Sequence, residues 1–165
     1  MKAKKYYFLE SKNDVADLYI FGDITSRTWD ESDVSANRIV KELQSLDASE
    51  INVHINSYGG EVAEGLAIYN TLKNSNMKVT TICDGFACSA ASVIFMAGDE
   101  RIINEASLLM IHNAWTYASG SADKLRKAAK DLDKITQASV NAYMNRVSIS
   151  EEKVKELMDN ESWIT

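Results

Sequence analysis

The chain has 165 residues, of which 45% are hydrophobic and 25% charged, and its formal net charge is −6. This length and balance fit one globular domain, so residues 1–165 are interpreted as a single domain. The negative charge argues against a nucleic-acid-binding surface, which is usually basic. The sequence contains no apolar run long enough for a membrane span and no apolar core of a signal peptide near its start, so a cytoplasmic location is expected.

Hydrophobic periodicity and turn residues predict alternating strands and helices along the chain. In order, these are a strand at 17–22, a helix at 33–46, a strand at 51–55, a helix at 61–73, a strand at 79–83, a helix at 87–97, strands at 101–103 and Leu108–Ile111, and helices at 121–147 and 150–158. This order is typical of an α/β fold with a mostly parallel sheet. The helix at 87–97 is apolar on every side, which predicts burial, and Asp84-Gly85 is expected to end the strand before it.

The cysteines and histidines do not form a metal-binding pattern. Cys83 and Cys88 lie in apolar runs and are expected to be buried free thiols. His54 and His112 are the only histidines, and their spacing from the cysteines matches no set of metal ligands. The sequence therefore predicts neither a metal nor another cofactor.

Two segments have the residues of a reactive site. Gly59 and Gly60 follow the strand at 51–55, where glycines allow the backbone to approach a ligand and direct N–H groups at it. The alternative is a tight turn without a ligand. Ser89 lies where a turn meets the buried helix, near the positive end of the helix dipole, and the N–H of Ala90 can donate to an oxyanion there. Alternatively, Ser89 only caps the helix and Ser92 bonds back within it.

A serine nucleophile needs a base, because its hydroxyl is weakly nucleophilic at neutral pH. His54 lies inside a strand and is interpreted as structural. His112 follows the C-terminal end of the strand Leu108–Ile111, where open sheets build their sites, and is the candidate base. The alternative is a histidine whose bonds are satisfied at a strand edge.

Three segments together resemble the successive signatures of the ClpP family of serine peptidases. They are INSYGGEVAEGLAIYNTLK, VTTICDGFACSAASVIFMAG and LLMIHNAW, and the family has INSPGG before a helix, G-x-A-x-S before an apolar helix ending in AG, and MIH. The resemblance covers residues 17–165. It implies a ClpP/crotonase-like α/β fold, in which a mostly parallel sheet is surrounded by helices and residues 121–147 form a long protruding helix.

The resemblance also implies roles for individual residues. The family's nucleophile matches Ser89 and its catalytic histidine matches His112. Its oxyanion hole, made of backbone N–H groups, matches Gly60 and Ala90.

The family's third catalytic residue is an aspartate shortly before an aromatic-aliphatic-Ser/Thr triplet, here Trp163-Ile164-Thr165. The resemblance places Glu161 at that position, with Asp159 as the fallback. Tyr58 replaces the usual proline of the turn, and the family's C-terminal helix and strand beyond Thr165 are expected to be absent. The ESWIT ending and the variant turn resemble the phage-encoded, prohead-protease branch.

The resemblance implies a serine endopeptidase that cleaves proteins or peptides inside stacked homo-oligomeric rings. Its role would be ATP-dependent degradation with an AAA+ unfoldase, or processing of a phage capsid protein. The apolar stripe on the helix at 121–147 fits a ring contact, although such a stripe can also pack on its own domain. Two other interpretations are a catalytically silent structural subunit and a crotonase-type acyl-CoA enzyme, a class that lacks the Ser–His pair. No nucleic-acid or membrane partner is expected.

Overall fold

The computed structural model describes residues 7–12, 14–27 and 33–165, the first of these segments as backbone only. In chain order the elements are β1 (Tyr7–Lys12), β2 (Val15–Ile20), α1 (Ala36–Gln44), β3 (Glu50–Ser57), α2 (Val62–Lys73), β4 (Lys78–Cys88), α3 (Ala90–Phe95), β5 (Glu100–Ile103), β6 (Leu108–Ile111), α4 (Ala122–Met144), α5 (Glu151–Asp159) and β7 (Ser162–Ile164). The start of the predicted domain, including much of the stretch considered for a signal peptide, lies outside the described residues.

The strands of the described residues form one sheet in the order β1-β2-β3-β4-β6-β7, and β5 pairs with β4 beside β6. The pairs β2–β3, β3–β4, β4–β5 and β4–β6 are parallel, whereas β1–β2 and β6–β7 are antiparallel. The predicted mixed α/β fold with a mostly parallel sheet is therefore confirmed. Parallel strands carry their C-terminal ends to one edge of the sheet, so the loops after β3, β4 and β6 lie close together.

Strand β4 is longer than the sequence indicated, and helix α3 is correspondingly shorter. The expectation that Asp84-Gly85 ends the strand was wrong, because the strand continues to Cys88. The side chain of Asn56 accepts a hydrogen bond from the Phe86 N–H at 3.1 Å and so bridges an irregularity between β3 and β4. Residues Phe86–Cys88 then pair with β6. Ala87 and Cys88, predicted to be helical, therefore belong to β4.

Helix α3 lies at the centre of the core, as its all-apolar sequence predicted. Every residue from Ala90 to Phe95 is buried. Cys83 and Cys88 are buried free thiols, which confirms the expectation for both. Burial raises the pKa of each thiol, because it penalises the thiolate.

Helix α4 is a single 23-residue helix, and only part of its length is buried. Its C-terminal half packs Ser139, Val140 and Tyr143 into the core, whereas Leu125 and Ile135 are 43% and 40% exposed. None of the helices in the described part of the chain is both long and apolar enough to cross a bilayer.

We expect the buried strands to dominate the free energy of unfolding. Ile51 in β3 is fully buried, whereas Ile102 in β5 is 44% exposed. Ile51→Ala leaves a cavity in the core and should lower the free energy of unfolding by about 2–5 kcal/mol. Ile102→Ala, the matched control in a strand, should lower it by about 1 kcal/mol or less. Urea denaturation of both variants measures the difference, and equal losses would contradict the assignment of the core.

Candidate active site

The structure brings Ser89 and His112 into hydrogen-bond contact. Ser89 follows β4 and His112 follows β6, and these two strands are parallel neighbours with Cys88 opposite Met110. The Ser89 N–H donates to the Met110 carbonyl at 2.8 Å, which extends the ladder to the serine itself. His112 Nε2 lies 2.7 Å from Ser89 Oγ. Two segments that are distant in sequence thus place a hydroxyl beside an imidazole.

Ser89 occupies a backbone conformation that non-glycine residues seldom adopt. Its φ is 54° and its ψ is −124°, and its side chain makes no capping hydrogen bond to α3. The structure therefore does not support the alternative in which Ser89 only caps the helix. Such a conformation costs on the order of 1–3 kcal/mol and is typical of functional sites. Here the strained turn leaves Oγ directed at His112 and not at the N–H groups of its own helix.

Two backbone N–H groups border the same space. Ala90 is the first residue of α3, so its N–H has no acceptor within the helix. Gly60 forms a parallel bridge with Ile24, in which the Gly59 carbonyl accepts from the Ile24 N–H and the Glu61 N–H donates to the Ile24 carbonyl. Because those two bonds flank Gly60, its own N–H faces away from Ile24. Gly60 and Ala90 line the same cavity as Ser89.

Gly59 approaches Ser89, and Gly60 approaches Ile24, too closely for any larger residue. Gly59 and Gly60 have φ of 98° and 146°. A Cβ on Gly59 would lie 2.7 Å from Ser89 Cβ and 3.0 Å from the Ala90 N, and a Cβ on Gly60 would collide with the Ile24 carbonyl. The pair is therefore more than a tight turn, because it brings its backbone against the serine.

A cavity of about 890 Å³ opens around these groups. Its lining includes Ser89, His112, Gly60 and Ala90, the four residues that the motifs singled out. This volume lies within the range of sites that enclose a ligand of several hundred daltons. The cavity is also lined by the apolar and aromatic side chains of Tyr58, Val62, Val93, Trp115, Tyr117 and Tyr143.

The structure does not join either candidate acid to His112. Asp159 Oδ1 accepts a hydrogen bond from Asn113 Nδ2 at 2.7 Å, next to His112 in sequence. Glu161 is exposed, with a positive φ of 47°. Among the described residues, neither carboxylate makes a hydrogen bond to the imidazole. The assignment of the third residue therefore stays a prediction.

His54 lies in β3, where its ring bonds to neighbouring strands. Its Nδ1 is 2.8 Å from Asp84 Oδ2, and the ring stacks on Tyr19 with centroids 4.6 Å apart. These contacts fit the structural role expected for a histidine inside a strand.

Ser92, the second serine of the motif, is not free to react. Its Oγ donates to the Ser89 carbonyl at 2.6 Å and lies 2.8 Å from the hydroxyl of Tyr143, a residue that sequence reasoning did not identify. Both residues are buried. Tyr143 is 51 positions away in sequence, so no local pattern indicated the contact.

In the part of the chain that the structure covers, no three His, Cys, Asp or Glu side chains are grouped so that they could hold a metal ion.

Comparison with known proteins assigns the family. The family model described as Clp protease matches residues 8–165. A protein of Deinococcus radiodurans named ATP-dependent Clp protease proteolytic subunit is 36% identical over 136 residues, which cover 79% of this chain and 67% of that protein. A protein of the same name from Bacteroides fragilis is 33% identical over 139 residues, covering 81% of this chain and 67% of the relative. A third, from Borrelia garinii, is 28% identical over 140 residues, covering 81% and 72%. Together with the α/β fold, these matches confirm the resemblance seen in the motifs: the chain belongs to the Clp protease family of serine endopeptidases.

Proposed function

We propose that this chain hydrolyses peptide bonds by acyl transfer, with Ser89 as the nucleophile and His112 as the general base. The observation that carries the proposal is the 2.7 Å distance between Ser89 Oγ and His112 Nε2 at the edge of a large cavity. At this distance the imidazole can accept the hydroxyl proton as the oxygen attacks.

The first half of the reaction forms an ester on the serine. Ser89 Oγ attacks the carbonyl carbon of the scissile peptide while its proton passes to His112 Nε2. The carbonyl oxygen becomes negative, and the N–H groups of Gly60 and Ala90 donate to it. Each such donor contributes about 10²–10³-fold to the rate. The C–N bond then breaks, and the proton on His112 moves to the leaving amine.

The second half releases the acid product. A water molecule loses a proton to His112 and attacks the ester carbonyl through a second oxyanion. Collapse of that intermediate frees a carboxylic acid, and His112 returns the proton to Ser89 Oγ. Val62 and Val93 line the cavity near Ser89, so an apolar side chain of the substrate fits beside the scissile bond.

We assign the orienting acid to Glu161. Strand β7 pairs antiparallel with β6, with Ser162 opposite Ile111. Continuing that register by one residue puts Glu161 opposite His112, although the ladder itself ends at Ser162. Directly opposite residues of an antiparallel pair have Cβ atoms about 5 Å apart, within reach of a glutamate side chain. Rotation of the Glu161 side chain would allow it to accept the Nδ1–H of His112, which fixes the tautomer that a base requires.

We further propose that the active form is a homo-oligomer. Trp115 and Tyr117 are 65% and 92% exposed, and Leu125 and Ile135 of α4 are 43% and 40% exposed. Apolar surface of this kind marks an interaction site. The relatives are named as subunits of ATP-dependent proteases, which favours a degradative role with an AAA+ partner over the processing of capsid protein.

Ser89→Ala should abolish both peptide hydrolysis and labelling by a fluorophosphonate, because it removes the hydroxyl that His112 contacts. Gel-based labelling of the intact protein, with mass spectrometry of the modified peptide, measures this directly. Ser75→Ala is the matched control, since Ser75 caps the end of α2 by donating to the Leu72 carbonyl. Labelling that persists in Ser89→Ala would contradict the nucleophile. Intact assemblies of the unmodified chain that neither label nor hydrolyse peptides would indicate a silent structural subunit.

The two candidate acids can be separated by isosteric amides. Glu161→Gln should lower kcat by about 10²–10⁴-fold with little change in KM, because the amide no longer selects the tautomer with a free Nε2 lone pair. Asp159→Asn, which keeps the size of the side chain that accepts from Asn113, should lower kcat by about 10-fold or less. Steady-state hydrolysis of a fluorogenic peptide compares them, and the reverse order of the two losses would transfer the role to Asp159.

Sedimentation velocity tests the assembly. The unmodified chain should sediment as a species several times the mass of the monomer. The double variant Leu125→Glu, Ile135→Glu should shift toward the monomer, because two negatively charged carboxylates replace apolar side chains at the contact. Ile102→Glu, an exposed isoleucine of β5 away from α4, is the control and should keep the larger species. A monomeric unmodified chain at micromolar concentration would contradict the proposal.

A further inference from the structure

We propose that Tyr143 and Ser92 are positioning residues that orient and polarise the Ala90 N–H for the oxyanion. This inference rests on the proposed function, and it assigns a role to a buried pair of hydroxyls that the reaction itself does not consume. The pair forms a relay, defined here as Tyr143 OH to Ser92 Oγ to the Ser89 carbonyl.

The relay is continuous and buried. Tyr143 OH lies 2.8 Å from Ser92 Oγ, which donates to the Ser89 carbonyl at 2.6 Å. Ser92 is fully buried and Tyr143 is 3% exposed. The Ser89 carbonyl also accepts from the N–H groups of Ser92 and Val93, at 3.0 and 3.3 Å. The hydroxyl bond is the shortest of the three.

The direction of donation in the relay follows from the single proton of the Ser92 hydroxyl. That proton is donated to the Ser89 carbonyl, so Tyr143 OH is the donor in its contact with Ser92 Oγ. Burial raises the pKa of Tyr143 to about 12, so the phenol keeps the proton that this bond requires. Both hydroxyl protons of the relay therefore point along it toward the Ser89 carbonyl.

The Ser89 carbonyl and the Ala90 N–H belong to the same peptide group. This group is planar and trans, so fixing its oxygen also fixes the direction of its N–H, which points the opposite way. A strong hydrogen bond to the oxygen also draws electron density from the nitrogen and makes the N–H a better donor. The relay thus acts on the Ala90 N–H, the proposed oxyanion donor, through the carbonyl of the same peptide group.

The turn that follows α4 supplies a second anchor to α3. Arg146 Nε, three residues after Tyr143, donates to the Met96 carbonyl at 3.1 Å, at the C-terminal end of α3. Helix α3 is therefore held at both ends by the same region of the chain. Of these two contacts, only the relay bonds the peptide group that carries the Ala90 N–H.

If the relay bonds only stabilised the fold, removing them would lower stability without a specific loss of rate. Matched variants distinguish this structural role from the positioning of the Ala90 N–H. Tyr143→Phe and Ser92→Ala each remove one relay hydroxyl. Tyr69→Phe and Thr81→Val are the controls: Tyr69 is also a buried tyrosine, bonded to Asn145 at 3.4 Å, and Thr81 donates to the Phe95 carbonyl at the opposite end of α3 at 2.7 Å. Both controls lose a buried hydroxyl that lies outside the relay.

The measurement is the rate constant for fluorophosphonate labelling of Ser89, together with kcat and KM for a fluorogenic peptide. We expect Tyr143→Phe and Ser92→Ala each to lower the labelling rate constant and kcat by about 10-fold, with KM and the midpoint of the pH profile unchanged. The double variant should lose no more than about 2-fold beyond either single variant, because both act on one peptide group. The controls should stay within about 2-fold of the unmodified chain while losing similar thermal stability.

Relay variants that label as fast as their controls would overturn the inference and leave the proposed function intact. A changed pH midpoint would also overturn it, since the relay would then act through His112. Absence of labelling in the unmodified chain would instead contradict the proposed function itself. Tyr143→Phe removes a single oxygen, so this variant decides the question even where Ser92→Ala fails to fold.

Discussion

The whole site depends on the strained turn that carries Ser89 from strand β4 into helix α3. A φ of 54° costs on the order of 1–3 kcal/mol, which the surrounding contacts have to offset. The Ser89 N–H is held by the Met110 carbonyl, and its own carbonyl accepts three hydrogen bonds from α3. Because both sides of the residue are fixed, the side chain cannot relax into a capping position. Ser89 Oγ therefore stays in contact with His112.

Close backbone packing supports this turn from the side of the glycine pair. Gly59 lies against Ser89, where a Cβ would be 2.6 Å from the Cys88 carbonyl, and Gly65 of α2 lies against Ala90, where a Cβ would be 2.9 Å from the alanine Cβ. Helix α2 and the loop before it thus approach α3 at the distance of backbone contact. Gly60, the next residue, lies against the Ile24 carbonyl and lines the same cavity as Ser89. One packing arrangement therefore supports the strained serine and places the proposed oxyanion donor in the same cavity.

Much of this arrangement was predictable because its signals are local. The periodicity of β3 and the apolar character of residues 87–97 predicted the sheet and the buried helix, and three short motifs identified Ser89 and His112. The end of β4 was not predictable in this way, because the turn signal at Asp84-Gly85 is overridden by the side chain of Asn56 and by pairing with β6. Strand β7 has only three residues, too few for a periodic pattern. The motif alone also could not show that Asp159 bonds to Asn113, or that Glu161 has a positive φ.

The contribution of α4 shows most clearly what a local motif leaves out. The GFACS segment specifies a serine in a turn, but the orientation of the peptide after that serine depends on a hydroxyl 51 residues away from Ser92. Burying the Ser92 and Tyr143 hydroxyls without hydrogen-bond partners would lower the stability of the fold. The Ser89 carbonyl provides the final acceptor for this pair. The same helix exposes Leu125 and Ile135 at its other end. If those residues contact another subunit, then α4 connects the assembly directly to the peptide group beside the nucleophile. An interface on α4 would in that case restrict the motion of α3, and the reactivity of Ser89 would depend on the neighbouring subunit.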